Sequence, residues 1–129
     1  MTVELTMLAL SIVLGLVHIV VQASSATMQR GLEWNVGPRD GVAPPLTGIA
    51  GRHERALRNF IESFALFAAA VLIAHVANRH STMTVVGAHL YFWGRVAYLP
   101  LYGMGIAYLR TLAWTVAALG IVLFLLALM

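Results

Sequence analysis

The stretch RHERALRNFIESFALFAAAVLIAHVA, residues 52–77, decides the fold class of this chain. Its first half contains five of the thirteen formally charged residues of the chain, and its second half is almost entirely apolar. At about 1.5 Å per residue, an apolar helix of roughly 20 residues crosses the hydrocarbon core of a bilayer. The stretch is therefore typical of a membrane-spanning helix whose charged residues lie at one end.

The whole chain has the composition of a membrane protein. It is 60% hydrophobic and 10% charged, whereas soluble domains are about 45–50% apolar and about 25% charged. Backbone polar groups inside lipid need internal partners, so only helices or closed barrels span membranes. Because the apolar runs are continuous rather than alternating, helices are favoured, and 129 residues leave room for one domain.

Four apolar runs predict an all-α integral membrane protein, an antiparallel bundle of four transmembrane helices. The predicted helices cover about residues 3–28, 52–78, 82–102 and 106–128 of a single domain, residues 1–129. Residues 29–51 are predicted to form a loop, because Pro44 and Pro45 oppose helix formation. Although ASSA (residues 23–26) weakly resembles a signal-peptide cleavage site, the acidic N-terminal region favours a mature first helix.

The positive charge of the chain comes from arginine alone, because there are eight arginines and no lysine. Most of them lie in or beside the first connection, whereas the second connection has only Arg79 and the termini have none. The positive-inside rule therefore predicts cytoplasmic first and third connections and both termini outside. Arginine is favoured where a carboxylate or phosphate is bound in a bidentate manner. An arginine-rich genomic composition is an equally good explanation.

One face of the second predicted helix carries its polar residues. At about 100° per residue, Arg55, Asn59 and Glu62 fall within about 60° of one another, with Arg58 beside them. Ionisable residues inside a membrane usually face the bundle interior or a water-filled cavity. We therefore expect this face to point away from lipid. The alternative is that these residues anchor the helix and form internal salt bridges, above all between Arg58 and Glu62.

The third predicted helix repeats this arrangement, with Arg95, Tyr98 and Tyr102 on one face. Arg110 follows one turn into the fourth helix. Five arginines from three segments thus converge at one depth, where only two carboxylates are available to neutralise them. The uncompensated charge predicts an anionic ligand. The residues alone leave glutathione, a phosphate and a lipid head group as alternatives.

These residues resemble those of the MAPEG family, the membrane-associated proteins in eicosanoid and glutathione metabolism. The family's second helix carries an arginine, three residues, an asparagine, two residues and a glutamate, which RALRNFIE (residues 55–62) matches. RVAYLPLY (residues 95–102) is similar to its third-helix motif, and PPLT (residues 44–47) to the loop before the second helix of leukotriene C synthase. The chain resembles a bacterial-type member akin to microsomal glutathione transferases, which implies the bacterial inner membrane.

The resemblance implies a homotrimer that binds glutathione between subunits near the cytoplasmic face, with two tyrosines coming from the partner subunit. It implies a transferase or peroxidase acting on hydrophobic electrophiles or lipid hydroperoxides. A thiol of pKa about 8.5 is mostly protonated at neutral pH, so a nearby guanidinium favours the thiolate nucleophile. The implied thiolate-stabilising residue is Arg110, and the implied glutathione contacts are Arg30, Arg52, Arg55, Arg58, Asn59, Glu62, Arg95, Tyr98 and Tyr102.

Other functions receive less support from the sequence. A non-catalytic protein of the same fold that binds lipid or another anion is the main alternative, whereas a transporter would need broken helices or an internal repeat. Tyr98 stands where the prostaglandin synthase branch has histidine, which argues against that isomerase activity. The histidine spacing predicts no metal site. The expected partners are membrane lipids and a hydrophobic small-molecule substrate, with no nucleic acid.

Overall fold

The computed structural model describes all 129 residues and contains helices without strands. The all-helical class is therefore confirmed. The predicted loop contains an additional short helix, and the second long helix begins at Gly48 rather than Arg52, because Pro45 is the last residue that opposes helix formation and Thr47 is the N-cap. The elements are α1 (Val3–Arg30), α2 (Leu32–Val36), α3 (Gly48–Val76), α4 (Thr82–Gly103) and α5 (Ala107–Leu128).

Three of these helices, α1, α3 and α5, are long and apolar enough to cross a membrane. Many of their large apolar side chains are exposed, as expected for surfaces that contact lipid. The chain is therefore an integral membrane protein. The fourth long helix, α4, has 22 residues. That it crosses the bilayer as a fourth span remains a prediction.

Hydrogen bonds between side chains show the relative direction of α3 and α4. Arg95 of α4 donates to Asn59 of α3 with an Nη1–Oδ1 distance of 2.8 Å, and the hydroxyls of Ser63 and Tyr91 lie 3.0 Å apart. As the residue number rises along α3, the number of its partner on α4 falls. The two helices are therefore antiparallel.

The helix α1 is antiparallel to α3 and parallel to α4. The Ser25 hydroxyl lies 2.6 Å from Nδ1 of His53, so the end of α1 meets the beginning of α3. At the other end of the molecule, the hydroxyl of Thr84 donates to the Glu4 carboxylate at 2.5 Å, so α1 and α4 begin together. The C-terminal ends of α1 and α4 therefore lie at the same end of the bundle as the beginnings of α3 and α5.

Seven of the eight arginines belong to this end of the bundle, which we call the arginine-rich end. They are Arg30, Arg39, Arg52, Arg55, Arg58, Arg95 and Arg110. The remaining one, Arg79, follows α3 at the opposite end. The fold therefore brings together arginines that four different helices and one loop contribute.

Small residues allow α4 and α5 to approach each other closely. A Cβ atom added to Gly94 would lie 2.9 Å from the backbone nitrogen of Ala117 and 3.0 Å from the carbonyl oxygen of Ala113. Such contacts are closer than carbon atoms tolerate, so glycine is required at this crossing. The close packing holds the beginning of α5, with Arg110, against the last turns of α4.

Candidate functional site

The ring of Tyr102, in the last turn of α4, contacts two arginines from two other helices. Nε of Arg55 donates to its hydroxyl at 3.0 Å, and the guanidinium of Arg110 lies 4.7 Å from the ring centroid. Attraction between a guanidinium and an aromatic face contributes about 0.5–1 kcal/mol at an exposed position. Neither arginine forms an ion pair with a carboxylate. Tyr102 thus holds two positive charges of α3 and α5 near each other without neutralising them.

Two cavities meet at Arg110, and we call them together the Arg110 pocket. Their volumes are about 180 Å³ and about 160 Å³. The first is lined by Asn59, Tyr98, Arg110, Thr111 and Trp114, and the second by Arg52, Arg55, Tyr102, Gly105, Ala107 and Arg110. Three guanidinium groups and no carboxylate belong to these walls. Such a lining suits an anion that carries more than one negative group.

Arg95 lies behind the Arg110 pocket rather than in its wall. Its side chain is fully buried, its Nη1 donates to Oδ1 of Asn59, and its guanidinium lies 4.1 Å from the ring centroid of Tyr98. Because the amide oxygen of Asn59 accepts this bond, its Nδ2 group is free to donate elsewhere. Arg95 therefore orients Asn59 and Tyr98 from behind the pocket, whereas the family resemblance implies a direct contact with glutathione.

Arg52 connects the start of α3 to the end of α4. Its Nε donates to the carbonyl oxygen of Gly103 at 2.9 Å. Carbonyl groups in the last turn of a helix lack intrahelical partners, and a cation there also interacts favourably with the helix dipole. One edge of the Arg52 guanidinium is thus engaged in the protein, and the residue still lines the pocket.

Three of the predicted glutathione contacts lie away from the Arg110 pocket of the same chain. Arg58 and Glu62 are exposed, and they form no ion pair with each other, so the internal salt bridge considered above is wrong. Arg30 lies at the end of α1, where its Nε donates to the carbonyl oxygen of Pro44 at 3.0 Å. Within one chain, the pocket therefore lacks these three residues.

The tyrosines reach the pocket from the same chain as their α3 neighbours. Tyr98 lines a cavity with Asn59, and Tyr102 accepts a hydrogen bond from Arg55. That the two tyrosines act on the glutathione of a partner subunit remains a prediction, because the structure contains a single chain. The antiparallel pairing of α3 and α4 within one chain already brings the two helical faces together.

Sequence reasoning missed two residues of the pocket wall. Thr111 and Trp114 line the same cavity as Arg110. The available signal was the helical period, since Trp114 follows Arg110 by four residues and shares its face. Trp114 also lines a neighbouring cavity of about 260 Å³ between α3 and α5. That cavity is mainly apolar, with Leu66, Ala117, Ala118 and Ile121 in its wall beside Ser63 and Arg95.

A second polar cluster lies at the opposite end of the bundle and was also missed. The buried carboxylate of Glu4 accepts a hydrogen bond from Thr84, and Nδ1 of His80 lies 3.4 Å from the same oxygen. Nothing local in the sequence indicates this cluster, because its members belong to α1, to the connection after α3 and to the beginning of α4. Nowhere in the chain do three histidine or carboxylate side chains come together to hold a metal ion.

Comparison with known proteins agrees with the motifs on α3 and α4. No curated protein matches the chain. The model of the MAPEG family, in contrast, matches residues 7–129, which include most of α1, all of the other three long helices and every residue of the Arg110 pocket. The chain therefore belongs to the MAPEG family, the membrane proteins of eicosanoid and glutathione metabolism.

Proposed function

We propose that the protein is a glutathione-dependent membrane enzyme, a transferase or peroxidase that acts on hydrophobic electrophiles or lipid hydroperoxides. The observation that carries this proposal is the position of Trp114. Its side chain lines a cavity with Arg110, Asn59 and Tyr98 on one side and the apolar cavity between α3 and α5 on the other. A cationic cavity beside an apolar one suits a reaction between a charged thiol and an apolar acceptor.

Glutathione matches the charge of the Arg110 pocket. Its two carboxylates would pair with guanidinium groups of Arg52 and Arg55, and the Nδ2 group of Asn59 would donate to it. These donors lie at the bundle end where the cavities share Arg110. We therefore assign Arg52, Arg55 and Asn59 to glutathione binding, with Tyr98 and Tyr102 shaping the wall.

The role proposed for Arg110 is to stabilise the thiolate of glutathione. A guanidinium beside a thiol in a poorly solvated site favours the ionised form, which is the nucleophile. In transfer, the thiolate sulfur forms a bond to an electrophilic carbon of the acceptor. The displaced electron pair departs with a leaving group or, in an activated alkene, moves from the double bond to the neighbouring atom, which is then protonated. In peroxide reduction, it attacks the outer hydroperoxide oxygen, which gives an alcohol and a sulfenic acid, and a second glutathione converts the sulfenic acid to the disulfide and water.

A homotrimer is part of this proposal because two expected glutathione contacts, Arg58 and Glu62, lie outside the pocket of their own chain. Arg58 and Glu62 are exposed on α3, a helix whose apolar surface is also exposed in the single chain. Packing of a second copy against this face would bring Glu62 toward the amine of glutathione. The proposed orientation has the arginine-rich end in the cytoplasm and both termini outside, in a bacterial inner membrane.

Titration of the purified protein with glutathione tests the proposal. We expect saturable binding and an increase in the ultraviolet absorbance of the thiolate at neutral pH. Absence of both signals would overturn the proposal. The Arg110→Ala variant separates an enzyme from a non-catalytic lipid- or anion-binding protein of the same fold. An enzyme would lose turnover and keep its glutathione affinity, whereas a binding protein would show no turnover in either form.

A further inference from the structure

A third cavity lies on the other side of the arginine-rich end, between the last turns of α1 and the first loop. Its volume is about 310 Å³, and it shares no wall residue with the Arg110 pocket. Residues of α1, of the short helix α2 and of the loop after it contribute to the wall. They are Gln22, Ala23, Ala26, Thr27, Arg30, Gly31, Trp34, Asn35, Arg39 and Ala43.

Two arginines give this cavity a positive charge that the protein does not neutralise. Arg30 donates through Nε to the carbonyl oxygen of Pro44, so both of its Nη groups remain free. Arg39 donates through Nε and Nη2 to Asn35, at distances between 2.7 and 3.2 Å, so its Nη1 remains free. Neither arginine forms an ion pair, and no acidic residue belongs to the wall. Free guanidinium groups of this kind favour phosphate oxygens.

Local backbone geometry and hydrogen bonds to Asn35 position Arg39 in the wall of the cavity. Its φ of 59° lies in the left-handed region, which few residues other than glycine adopt. Three hydrogen bonds between its guanidinium and the backbone and side-chain oxygens of Asn35 hold it there. The charge is thus pre-positioned at the edge of the cavity.

An exposed apolar surface leads from the cavity along α1 toward the opposite end of the molecule. Thr27 and Ala23 line the cavity, and Val20 and Leu16 continue the same helical face at spacings of three and four residues. Val20 is 62% exposed and Leu16 is 58% exposed. From Thr27 to Leu16 the helix rises about 16 Å, close to half of the roughly 30 Å hydrocarbon core of a bilayer. A charged cavity with an apolar surface of this length matches a lipid with one head group and an acyl chain.

The short helix α2 lies beside the cavity with its apolar residues exposed. Leu32 and Val36 occupy the same face at a spacing of four residues and are 65% and 74% exposed. Trp34, from the same helix, lines the cavity. Exposed aliphatic residues and a tryptophan next to arginines are typical of a segment at the membrane–water interface. A segment of this composition favours a position of the cavity at the depth of the lipid head groups.

We propose that this cavity binds the phosphate head group of an anionic membrane phospholipid, with one acyl chain lying on the Val20–Leu16 face of α1. Arg30 and Arg39 bind the phosphate, and the alanine residues of the wall leave room for the glycerol. The site is independent of the proposed glutathione chemistry, and it gives Arg30 a lipid contact in place of the glutathione contact expected from the family resemblance.

Lipid titration of the purified, delipidated protein, followed by native mass spectrometry, tests the proposal. We expect phosphatidylglycerol to bind at least about tenfold more tightly than phosphatidylcholine. We expect the Arg39→Gln variant to reduce this preference to about threefold or less. The Arg39→Lys variant keeps the charge but loses the planar guanidinium that binds phosphate in a bidentate manner, so its effect should be intermediate. Arg79→Gln, at the opposite end, is the matched control and should bind as the wild type does. Equal phosphatidylglycerol binding by Arg39→Gln and the wild type would overturn the proposal.

Variants of the apolar face distinguish a lipid from a soluble phosphate. Val20→Ser should weaken phosphatidylglycerol binding, whereas Val122→Ser, on an exposed position of α5, should leave it unchanged. Competition by inorganic phosphate at equal affinity, with no effect of Val20→Ser, would show a soluble anion site and would contradict the lipid assignment. Glutathione titration of Arg39→Gln keeps the two proposals separate. The Arg39→Gln variant should bind glutathione as the wild type does, and this result does not depend on the outcome of the lipid experiment.

Discussion

Nη1 of Arg95 donates a 2.8 Å hydrogen bond to Oδ1 of Asn59, and this bond joins α4 to α3 directly behind the Arg110 pocket. Arg95 is fully buried and has no carboxylate partner. Its charge is therefore stabilised by Asn59 and by the rings of Tyr98 and Phe60, which lie 4.1 and 5.5 Å from the guanidinium. Because the bond occupies Oδ1 of Asn59, the amide nitrogen of Asn59 remains free to donate to a ligand. One interaction therefore contributes both to the stability of the bundle and to the geometry of the pocket.

Replacement of Asn59 should destabilise the protein more than replacement of Arg95. In Asn59→Leu, the buried guanidinium loses its only hydrogen-bond acceptor, at a cost of about 2–3 kcal/mol. In Arg95→Met, the charge disappears together with its donors, so a smaller loss is expected. Thermal unfolding in detergent, followed by circular dichroism, measures both. An Asn59→Leu midpoint equal to that of the wild type would show that the bond does not stabilise the bundle.

The Arg110→Gln variant should lose the thiolate of bound glutathione but keep most of the binding. Removal of the guanidinium should raise the pKa of the bound thiol by about one unit or more. At neutral pH, more thiol is then protonated, and turnover should fall by up to about tenfold for each unit of the pKa shift. Thiolate absorbance of the saturated protein, recorded against pH, measures the shift. An unchanged pH midpoint would exclude this role for Arg110, and Arg79→Gln controls for the loss of one positive charge elsewhere.

Two substitutions of Tyr102 separate its hydroxyl from its ring. Tyr102→Phe removes the acceptor for Arg55 and keeps the aromatic face beside Arg110, so glutathione affinity should fall by about three- to tenfold, as for one lost hydrogen bond, with turnover preserved. Tyr102→Leu also removes the ring and should lower turnover. Binding constants and saturating rates for both variants measure the difference. Equal rates in the two variants would mean that the ring does not position Arg110.

The sequence predicted the helical class and the composition of the arginine-rich end because both follow from local patterns. Continuous apolar runs define the long helices, and the helical period puts Arg95, Tyr98 and Tyr102 on one face. That face does meet α3. The helical period shows which way a side chain points from its helix, but not how deeply the side chain is buried. It therefore could not show that Arg95 packs behind Asn59 instead of lining the pocket.

Contacts between distant segments were the part that the sequence could not provide. The bond from Thr84 to Glu4 joins residues 80 positions apart. Arg30 was grouped with the glutathione residues because it is an arginine near the end of the first helix, yet the loop packs beside it and forms a separate cavity. Arg39, which lies in the same wall, has a left-handed backbone conformation. This conformation cannot be predicted from the sequence, because residues other than glycine rarely adopt it.

The Glu4 cluster should contribute to stability without affecting the proposed chemistry. In Glu4→Ala, Thr84 loses its buried acceptor and α1 loses its polar connection to α4, at a cost of about 1–3 kcal/mol. His80→Ala should cost less, about 1 kcal/mol or below, because its contact is 3.4 Å long and its side chain is 31% exposed. Thermal unfolding and glutathione titration test this together. A loss of glutathione affinity in correctly folded Glu4→Ala would contradict the separation of the two ends.

The proposed orientation predicts which single cysteines react from each side of the membrane. The chain contains no cysteine, so Asp40→Cys in the first loop and Thr82→Cys at the beginning of α4, both at exposed positions, can be labelled without background. The two residues flank the long helix α3, which separates the arginine-rich end from the opposite end. A membrane-impermeant maleimide should label Asp40→Cys only in inverted vesicles and Thr82→Cys only in right-side-out vesicles, since the positive-inside rule puts the first loop in the cytoplasm. Labelling of both variants from the same side would show that α3 does not cross the bilayer. The reverse pattern would place the Arg110 pocket outside the cytoplasm and would contradict the proposed orientation.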